Sequence, residues 1–289
     1  MIIDCHFHLD ERLLPRENLL AKMDQSGIDQ TALMAAMVDP FPEPSPRLVR
    51  ALQFLLTRRS LRWAARLAAS RFTREGNIKM PGGTFTIYRD PDNGPVFEAV
   101  DAHPDRFLGW IFVNPRGDND PVDVFDKWWN HSGAIGVKAH PYWHRYAPVE
   151  LVPVARKAAR VGMPLLIHAG FGAHGNFFPL LEQVPGLTLI LAHAGFPEYA
   201  DTWELIARDE NVLVDLSQSS YVNQEITRQV VRALGPERCL FGTDGPFGFC
   251  DEADTFDMNF IKNRIEELFP DEAVQQKLLG DNFAACAGI

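Results

Sequence analysis

The sequence predicts an α/β fold, a (β/α)8 TIM barrel that carries a helical insertion after its second strand. Two observations predict this fold: short apolar runs alternate with amphipathic helical stretches, and eight such runs occur within the 289 residues. A third observation separates the barrel from an open doubly wound sheet, which usually has a glycine-rich first turn. Here the first apolar run ends in histidines instead, so we favour the closed barrel.

The eight apolar runs have the length and composition of buried parallel strands. They are residues 2–8, 31–37, 107–114, 134–140, 164–170, 188–195, 211–217 and 239–245. Amphipathic stretches such as 148–162 and 223–235 lie between them, and Gly162 is expected to terminate the first of these helices before Pro164. We therefore expect one domain over residues 1–289.

The connection between the second and third runs, residues 39–93, is much longer than a loop with one helix. It begins with the proline-rich stretch DPFPEPSP and ends with the turn-rich stretch PGGTFTIYRDPDNG, and the residues between predict one or two amphipathic helices. Because loops after barrel strands lie on the active-site face, this insertion is a candidate lid or subunit contact. The alternative is a helix pair whose arginines only form a solvated face.

Charge and composition exclude several classes of protein. The net charge of −10 argues against a nucleic-acid partner, although residues 40–80 alone carry a net charge of +7. No apolar run is long enough for a membrane helix, and the first residues do not resemble a signal peptide. The scattered cysteines Cys5, Cys239, Cys250 and Cys286 are typical of reduced thiols. We expect a cytoplasmic protein without a membrane partner; a homo-oligomer is compatible with the insertion.

Polar side chains occur at the C-terminal ends of most predicted strands. His6 and His8 share one face of the first strand, because strand side chains alternate between faces. The other strand ends carry Lys138, His140, His168, His193, Asp215 and Asp244. Every strand of a barrel ends at the same mouth, so these residues should converge. A lone histidine on a strand is often a hydrogen-bonded core residue, but that explanation fits such a repeated pattern poorly.

Imidazole nitrogens and carboxylate oxygens are ligands for a divalent metal ion. Zn²⁺ takes such ligands at roughly 2.0–2.2 Å, and its catalytic sites leave one position for water. The sequence therefore predicts one divalent metal ion, with Zn²⁺ preferred and Mn²⁺ or another ion as alternatives. Without a nearby cysteine, a structural thiolate zinc site is not expected.

The motifs together resemble the amidohydrolase superfamily. The HFH of His6 and His8, the IHAG of His168, the AHAG of His193 and the FGTDGPFG of Asp244 resemble its "amidohydrolase 2" branch, which contains aminocarboxymuconate semialdehyde decarboxylase. The resemblance covers residues 2 to about 287, apart from 39–93.

The resemblance implies a role for each matching residue. His6, His8 and His168 would bind one metal ion, Asp244 would be a further ligand, and His193 would act beside the metal as a proton shuttle or hydrogen-bond donor. For Lys138 it leaves two alternatives. A carboxylated Lys138 would bridge two metal ions, as in some branches, and a second metal is expected only in that case. Otherwise Lys138 would hold a substrate carboxylate or pair with an aspartate.

Two enzymatic functions and one alternative remain open at this stage. A hydrolase would use a metal-activated water on a small ester, lactone or amide-like substrate, with Asp244 as general base and His193 stabilising the oxyanion. A decarboxylase would act on an aromatic or unsaturated carboxylic acid. The third alternative is a non-catalytic barrel that retains the metal site as a structural relic.

Candidate substrate-binding residues come from two segments. Arg58, Arg59 and Arg62 of the basic insertion could grip the carboxylate of an anionic substrate, because guanidinium groups bind carboxylates with two bonds. His140 and Trp143 in the HPYWH stretch could line the pocket, or Trp143 could simply pack beneath the insertion.

Overall fold

The computed structural model describes residues 1–42, 46–69, 71–80, 82–248 and 256–289. Eight parallel strands form a barrel wall in chain order, as predicted. They are β1 (Ile3–Leu9), β2 (Gln30–Ala35), β5 (Phe107–Phe112), β6 (Ala134–Ala139), β7 (Leu165–Ile167), β8 (Leu189–Leu191), β9 (Val212–Asp215) and β10 (Cys239–Leu240). The insertion adds the antiparallel pair β3 (Ile78–Met80) and β4 (Gly83–Phe85).

The first strand closes the barrel against the residues that follow β10. The backbone N–H of Cys5 donates to the carbonyl of Phe241 at 3.0 Å, and that of Asp244 donates to the carbonyl of His6 at 2.7 Å. His8 donates to the carbonyl of Gly245 at 2.6 Å. These bonds join the two ends of the chain along one seam of the barrel.

Helices connect the strands around the outside of this wall. Those outside the insertion are Arg16–Ser26, Gly94–Ala102, Pro121–Trp128, Pro141–His144, Val152–Arg160, Phe178–Gln183, the irregular turn Ala192–Gly195, Ala200–Ile206, Gln224–Leu234, Phe260–Leu268, Glu272–Gln276 and Asn282–Ala287. The predicted stretches 148–162 and 223–235 are confirmed, and Gly162 follows the first helix with φ +74°. Among the described residues, no helix combines the length and apolar character needed to cross a membrane.

Several barrel strands are shorter than the apolar runs that predict them. The runs 164–170 and 188–195 form regular strand only at Leu165–Ile167 and Leu189–Leu191, and 239–245 only at Cys239–Leu240. The backbone leaves the ladder where the polar side chains begin, because His193 and Asp244 adopt left-handed φ values of +56° and +62°. The strand ends thus turn to present functional groups instead of continuing the sheet.

Large buried side chains are packed around the barrel strands. Phe7, Trp110 and Phe241 are fully buried, and the indole N–H of Trp110 donates to the carbonyl of Cys5 at 2.9 Å. Gly136 lies against Trp110, where an added Cβ would come within 2.5 Å of the indole ring. Such close packing fixes the strands whose ends build the site.

The insertion contains two helices, Pro46–Leu56 and Arg62–Ala69, separated by the 3₁₀ turn Arg59–Leu61. The prediction of one or two helices is therefore confirmed. The start of the turn-rich stretch forms β4, which pairs with β3 just before that stretch; the sequence pattern does not predict this pair. Residues 43–45 of the proline-rich stretch lie outside the described residues, as does Cys250, whereas Cys5, Cys239 and Cys286 are free thiols.

Candidate metal centre

The polar residues of the strand ends converge at one mouth of the barrel. A cavity of about 540 Å³ opens there, and its floor includes most of the residues that the sequence singled out. These are His6, His8, Lys138, His140, His168, His193 and Asp244, joined by Trp143. Residues that are far apart in the sequence therefore share one buried pocket.

His6, His8 and Asp244 form a compact group whose ligand atoms lie within 4.8 Å of one another. Asp244 Oδ1 lies 3.1 Å from Nε2 of His6 and 3.5 Å from Nε2 of His8. All three residues are buried, so little water is available to separate their polar atoms. One carboxylate oxygen therefore faces two imidazole nitrogens.

The tautomers of these histidines show what this group can hold. His6 Nδ1 lies 2.9 Å from Asp215 Oδ2, and His8 Nδ1 lies 3.3 Å from the carbonyl oxygen of Ala35. Both partners are acceptors, so each Nδ1 carries the hydrogen and each Nε2 presents a lone pair. The Nε2 lone pairs and the carboxylate oxygen of Asp244 face one another and repel unless a cation lies between them. Histidines whose Nδ1–H is bound to an acceptor in this way are typical metal ligands. The residues fit a divalent metal ion.

Asp244 is held as an anion in this group. Burial disfavours its charge, but the neighbouring His193 and His6 outweigh that effect and hold the pKa of Asp244 well below its usual range. Its other oxygen, Oδ2, accepts from the side-chain amide of Gln218 at 2.8 Å. Gln218 is a site residue that sequence reasoning missed, because a single glutamine after a strand belongs to no recognisable motif.

Asp215 supports the group from behind. Besides His6 Nδ1, its carboxylate accepts from the backbone N–H of His193 at 2.9 Å and of Ser217 at 3.0 Å. Burial opposes its ionisation, yet the adjacent His6 holds its pKa well below the usual range. The sequence placed Asp215 at a strand end without assigning it a role. Its position among hydrogen-bond donors assigns it to orienting His6.

His193 lies beside Asp244, close to the compact group. Ser217 donates its hydroxyl hydrogen to Asp215, so its oxygen accepts from His193 Nδ1 at 2.8 Å. His193 Nε2 is then left facing Asp244 Oδ2, 3.9 Å away. Burial lowers the pKa of His193 to about 4, so the ring is neutral and Nε2 can accept a proton.

His168 lies on the same floor but outside the compact group. Its ring centroid lies 4.7 Å from that of His193 and 4.1 Å from that of His140, on which it stacks. Its Nδ1 donates to the carbonyl of Ala169 at 2.9 Å, which leaves Nε2 as an acceptor, as in His6 and His8. His140 accepts from the backbone N–H of Trp143 at 3.1 Å and stacks on its indole.

Lys138 is fully buried, and its Nζ donates to His6 Nε2 at 3.3 Å. Burial lowers the pKa of Lys138 to about 8, although Asp244 and Asp215 act in the opposite direction. A lysine amine beside the group is compatible with either role that the sequence left open. Bridging two ions or holding a substrate carboxylate requires Lys138 to face the cavity, and it does; pairing with an aspartate makes no such demand.

The three arginines predicted to bind substrate do not line the cavity. Arg62 is buried against the carboxylates of Glu198 and Asp201 at 2.8 and 2.7 Å. Arg59 is 82% exposed with Asp201 nearby, and Arg58 stacks on the ring of Phe54. Their role in substrate binding stays an untested prediction, and this geometry does not support it: net charge indicated a basic segment, but it could not indicate which way each guanidinium group points. Arg71 and Lys79 are the insertion's cations that line the cavity.

A parallel (β/α)8 barrel with histidines and an aspartate gathered at the strand ends defines the class of metal-dependent barrel enzymes. A family model described as amidohydrolase matches residues 3–285, so the chain belongs to the amidohydrolase family, a metal-dependent family of enzymes. This confirms the resemblance seen in the sequence. No curated protein matches the chain.

Solved structures with the same fold include both decarboxylases and a hydrolase. The chain is 15% identical to 2,6-dihydroxybenzoate decarboxylase from Rhizobium, covering 99% of this chain and 98% of that one, with a TM-score of 0.61. The chain is 14% identical to 5-carboxyvanillate decarboxylase from Sphingomonas paucimobilis, covering 100% of this chain and 99% of that one, with a TM-score of 0.61. It is 16% identical to a protein assigned as a 2-pyrone-4,6-dicarboxylic acid hydrolase from Pseudomonas putida, covering 99% of this chain and 97% of that one, with a TM-score of 0.63. At these identities the likeness shows the fold alone.

Proposed function

We propose that the protein is a metal-dependent hydrolase that cleaves a C–O or C–N bond of an ester, lactone or amide-like substrate. The observation that carries this proposal is the position of Asp244, whose two oxygens face the His6–His8 pair and His193 respectively. A divalent ion bound there would polarise a carbonyl group and make a water molecule more acidic. Catalysis then depends on the proton path that this chain supplies.

That path runs from Asp244 to His193. The Asp244 carboxylate takes the proton of the attacking water, and Gln218 keeps the carboxylate oriented. His193 Nε2, which is an acceptor in its neutral tautomer, receives this proton and presents it to the leaving group. Ser217 and Asp215 hold the other side of the ring, so protonated His193 is stabilised as it forms.

We propose one metal ion, with His6, His8, His168 and Asp244 as its ligands and Zn²⁺ as the preferred ion. Mn²⁺ is the alternative, since an aspartate adds an oxygen ligand. A second group of acceptors, His6, His193 and Asp215, is also compact. However, hydrogen bonds already occupy the oxygens of Asp215, which argues against a second ion unless Lys138 is carboxylated.

A metal-dependent decarboxylase is the second candidate, and Lys138 favours it. A buried ammonium group on the cavity floor can hold a carboxylate beside the metal ligands. Loss of CO₂ leaves a carbanion, and Asp244 or His193 would deliver the proton that it needs after taking that proton from a water molecule. A hydrolase, by contrast, does not require a contact between Lys138 and a substrate carboxylate near the reacting bond.

We also propose that the insertion acts as a lid. Leu48, Val49 and Leu56 of its first helix and Ala65 of its second line the cavity above the metal ligands. A cover of this kind would exclude water during the reaction. Its alternative role as a subunit contact remains a prediction.

Metal content and product analysis together test these proposals. We expect about one divalent ion per chain, and acid or alcohol release from acylated compounds rather than CO₂ release from aromatic acids. Asp244→Asn should lower kcat by about 10³-fold, because a general base contributes roughly that much. Asp118→Asn, at an exposed position, is the matched control.

Three outcomes would separate the alternatives. CO₂ release without hydrolysis would replace the first proposal with the second. Purified protein that takes up no stoichiometric ion would refute both enzymatic proposals and favour the relic. An unchanged kcat in Asp244→Asn would refute the proposed proton path. It would not by itself refute the proposal that a metal ion binds at this site.

A further inference from the structure

We propose that Arg71 and Lys79 form an anion-binding subsite at the cavity mouth, and that the substrate carries an anionic group separated from its reacting group by an apolar body. This inference rests on the proposed function for the reacting end alone. It specifies the class of substrate, namely amphipathic acids.

Arg71 and Lys79 are directly opposite each other on two antiparallel backbone segments. Lys79 donates its backbone N–H to the carbonyl of Arg71 at 2.7 Å, and the adjacent residues Phe72 and Ile78 form a bridge. The Cβ atoms of opposed residues lie about 5 Å apart, so the guanidinium group of Arg71 and the ammonium group of Lys79 repel each other when the two side chains extend side by side. An anion between the two side chains would relieve this repulsion.

The positive charges of this pair are not neutralised by the protein. Within the described part of the chain, neither Arg71 nor Lys79 lies within ion-pair distance of a carboxylate. Glu75 influences Lys79 only from beyond that distance. Arg62, by contrast, has two carboxylate partners. Arg71 and Lys79 are therefore available to bind an anionic ligand, whereas the ion pairs of Arg62 attach the insertion to the barrel.

The cavity connects this pair to the metal ligands through apolar walls. Arg71 and Lys79 are exposed at the rim, whereas His6 and Asp244 are buried at the floor. Between them, the lining includes Met37, Val38, Leu48, Val49, Leu56 and Met80. These side chains favour a hydrocarbon or aromatic body over a polar one.

The volume supports a substrate larger than a minimal ester or amide. The cavity of about 540 Å³ would hold on the order of 18 water molecules at about 30 Å³ each. A small substrate would leave much of this apolar space without contacts. An acid that spans from the floor to the rim would fill it and reach both cations.

Straight-chain acids test the subsite without requiring turnover. Isothermal titration calorimetry on the zinc-loaded protein would compare α,ω-dicarboxylates from succinate to dodecanedioate with the monocarboxylates of equal length. One carboxylate can occupy the metal end in either series, so the difference reports the second carboxylate. We expect the diacid to bind at least tenfold tighter at one or two chain lengths. Shorter and longer diacids should lose this advantage.

Variants assign the effect to the two cations. Arg71→Gln and Lys79→Gln should each reduce the diacid advantage about tenfold and leave monocarboxylate affinity within twofold, whereas Arg71→Lys and Lys79→Arg should largely preserve it. Arg58→Gln is the matched control, because Arg58 belongs to the same insertion but stacks on Phe54. Raising the salt concentration should weaken the advantage, since the pair is at the solvent-exposed rim.

The proposal is overturned if diacids bind no tighter than monoacids at any length, if neither series binds, or if Arg58→Gln has the same effect as Arg71→Gln. Zinc stoichiometry of the same samples and hydrolysis of acylated compounds are measured separately. A fully loaded, active enzyme without the diacid advantage would refute the subsite while leaving the proposed function in place.

Discussion

The orientation of each imidazole decides what the candidate centre can bind. His6, His8 and His168 each donate from Nδ1 to an oxygen acceptor, and this leaves three Nε2 lone pairs at the barrel mouth. Two of these acceptors are backbone carbonyls, which cannot donate in return. The fold thus fixes the tautomers before any ligand arrives, which is a form of preorganisation.

Asp215 differs from the other acceptors because it is charged and holds both His6 and the His193 backbone. Replacing it by asparagine keeps the size but removes the charge that makes the His6 imidazole a stronger ligand. We expect Asp215→Asn to weaken metal affinity 10–100-fold, as measured by competition with a chromophoric chelator. Asp209→Asn, on the exposed surface, is the control. Equal affinities in wild type and Asp215→Asn would exclude this orienting role.

His144 should make the stability of the protein sensitive to acid. Burial lowers its pKa to about 4, and its Nε2 donates to the carbonyl of Tyr88 at 3.0 Å. In the unfolded chain it titrates near 6.5, so acidification favours the unfolded state until the folded pKa is reached. Between pH 7 and pH 5 this residue should cost about 2 kcal/mol of stability.

Urea unfolding at the two pH values measures this effect. His144→Gln keeps a donor for Tyr88 but cannot titrate, so its loss of stability between pH 7 and pH 5 should be about 2 kcal/mol smaller than that of wild type. The same substitution at His103, on the outer side of the barrel, provides the comparison. Identical pH dependence in wild type and His144→Gln would contradict the assignment.

Some site residues could be predicted from the sequence and others could not, depending on whether their position follows from the strand pattern alone. His6, His8 and Asp244 could be predicted to meet because strand ends of a barrel share one mouth. Ser217 and Gln218 could not, since their roles depend on left-handed turns that present neighbouring groups to them. The position of Arg58, Arg59 and Arg62 outside the cavity lining could not be predicted either, because composition does not determine which face of a helix is turned inward.

At the scale of elements, the insertion is attached to the barrel by a few polar contacts. Arg62 binds Glu198 and Asp201, and Gln53 donates to the carbonyl of Ser220 at 3.0 Å. The sequence predicted helices here from their amphipathic pattern. It could not predict these contacts, because they join segments more than a hundred residues apart.

Removing the Arg62 contact should loosen the insertion without unfolding the barrel. Arg62→Gln loses a buried charge with two partners, and we expect the free energy of local opening to fall by about 2 kcal/mol. Thermolysin should then cleave the insertion about 30-fold faster. Arg59→Gln, from an 82% exposed position, should leave the rate within threefold. Cleavage that is equal in both variants would show that Arg62 does not hold the insertion.

At the scale of the whole molecule, the candidate metal ligands lie on both sides of the barrel seam. His6 and His8 belong to the first strand, whereas Asp244 follows the last. The same seam is held by Asp4, which accepts from the backbone N–H and the hydroxyl of Thr243 at 2.9 and 2.6 Å. A metal ion bound by these residues would therefore connect the two ends of the chain, in addition to any catalytic role.

Chelation should consequently lower the thermal stability of the entire barrel. An ion present at about 1,000 times its Kd stabilises the folded state by about 4 kcal/mol, so its removal should lower Tm by several degrees. Calorimetry with and without a chelator measures this shift, and added zinc should reverse it. Asp244→Asn removes the ligand on one side of the seam, so its Tm should respond much less to chelation. A response equal to that of wild type would place the stabilising ion elsewhere, because an ion held by the first strand alone could not join the two ends.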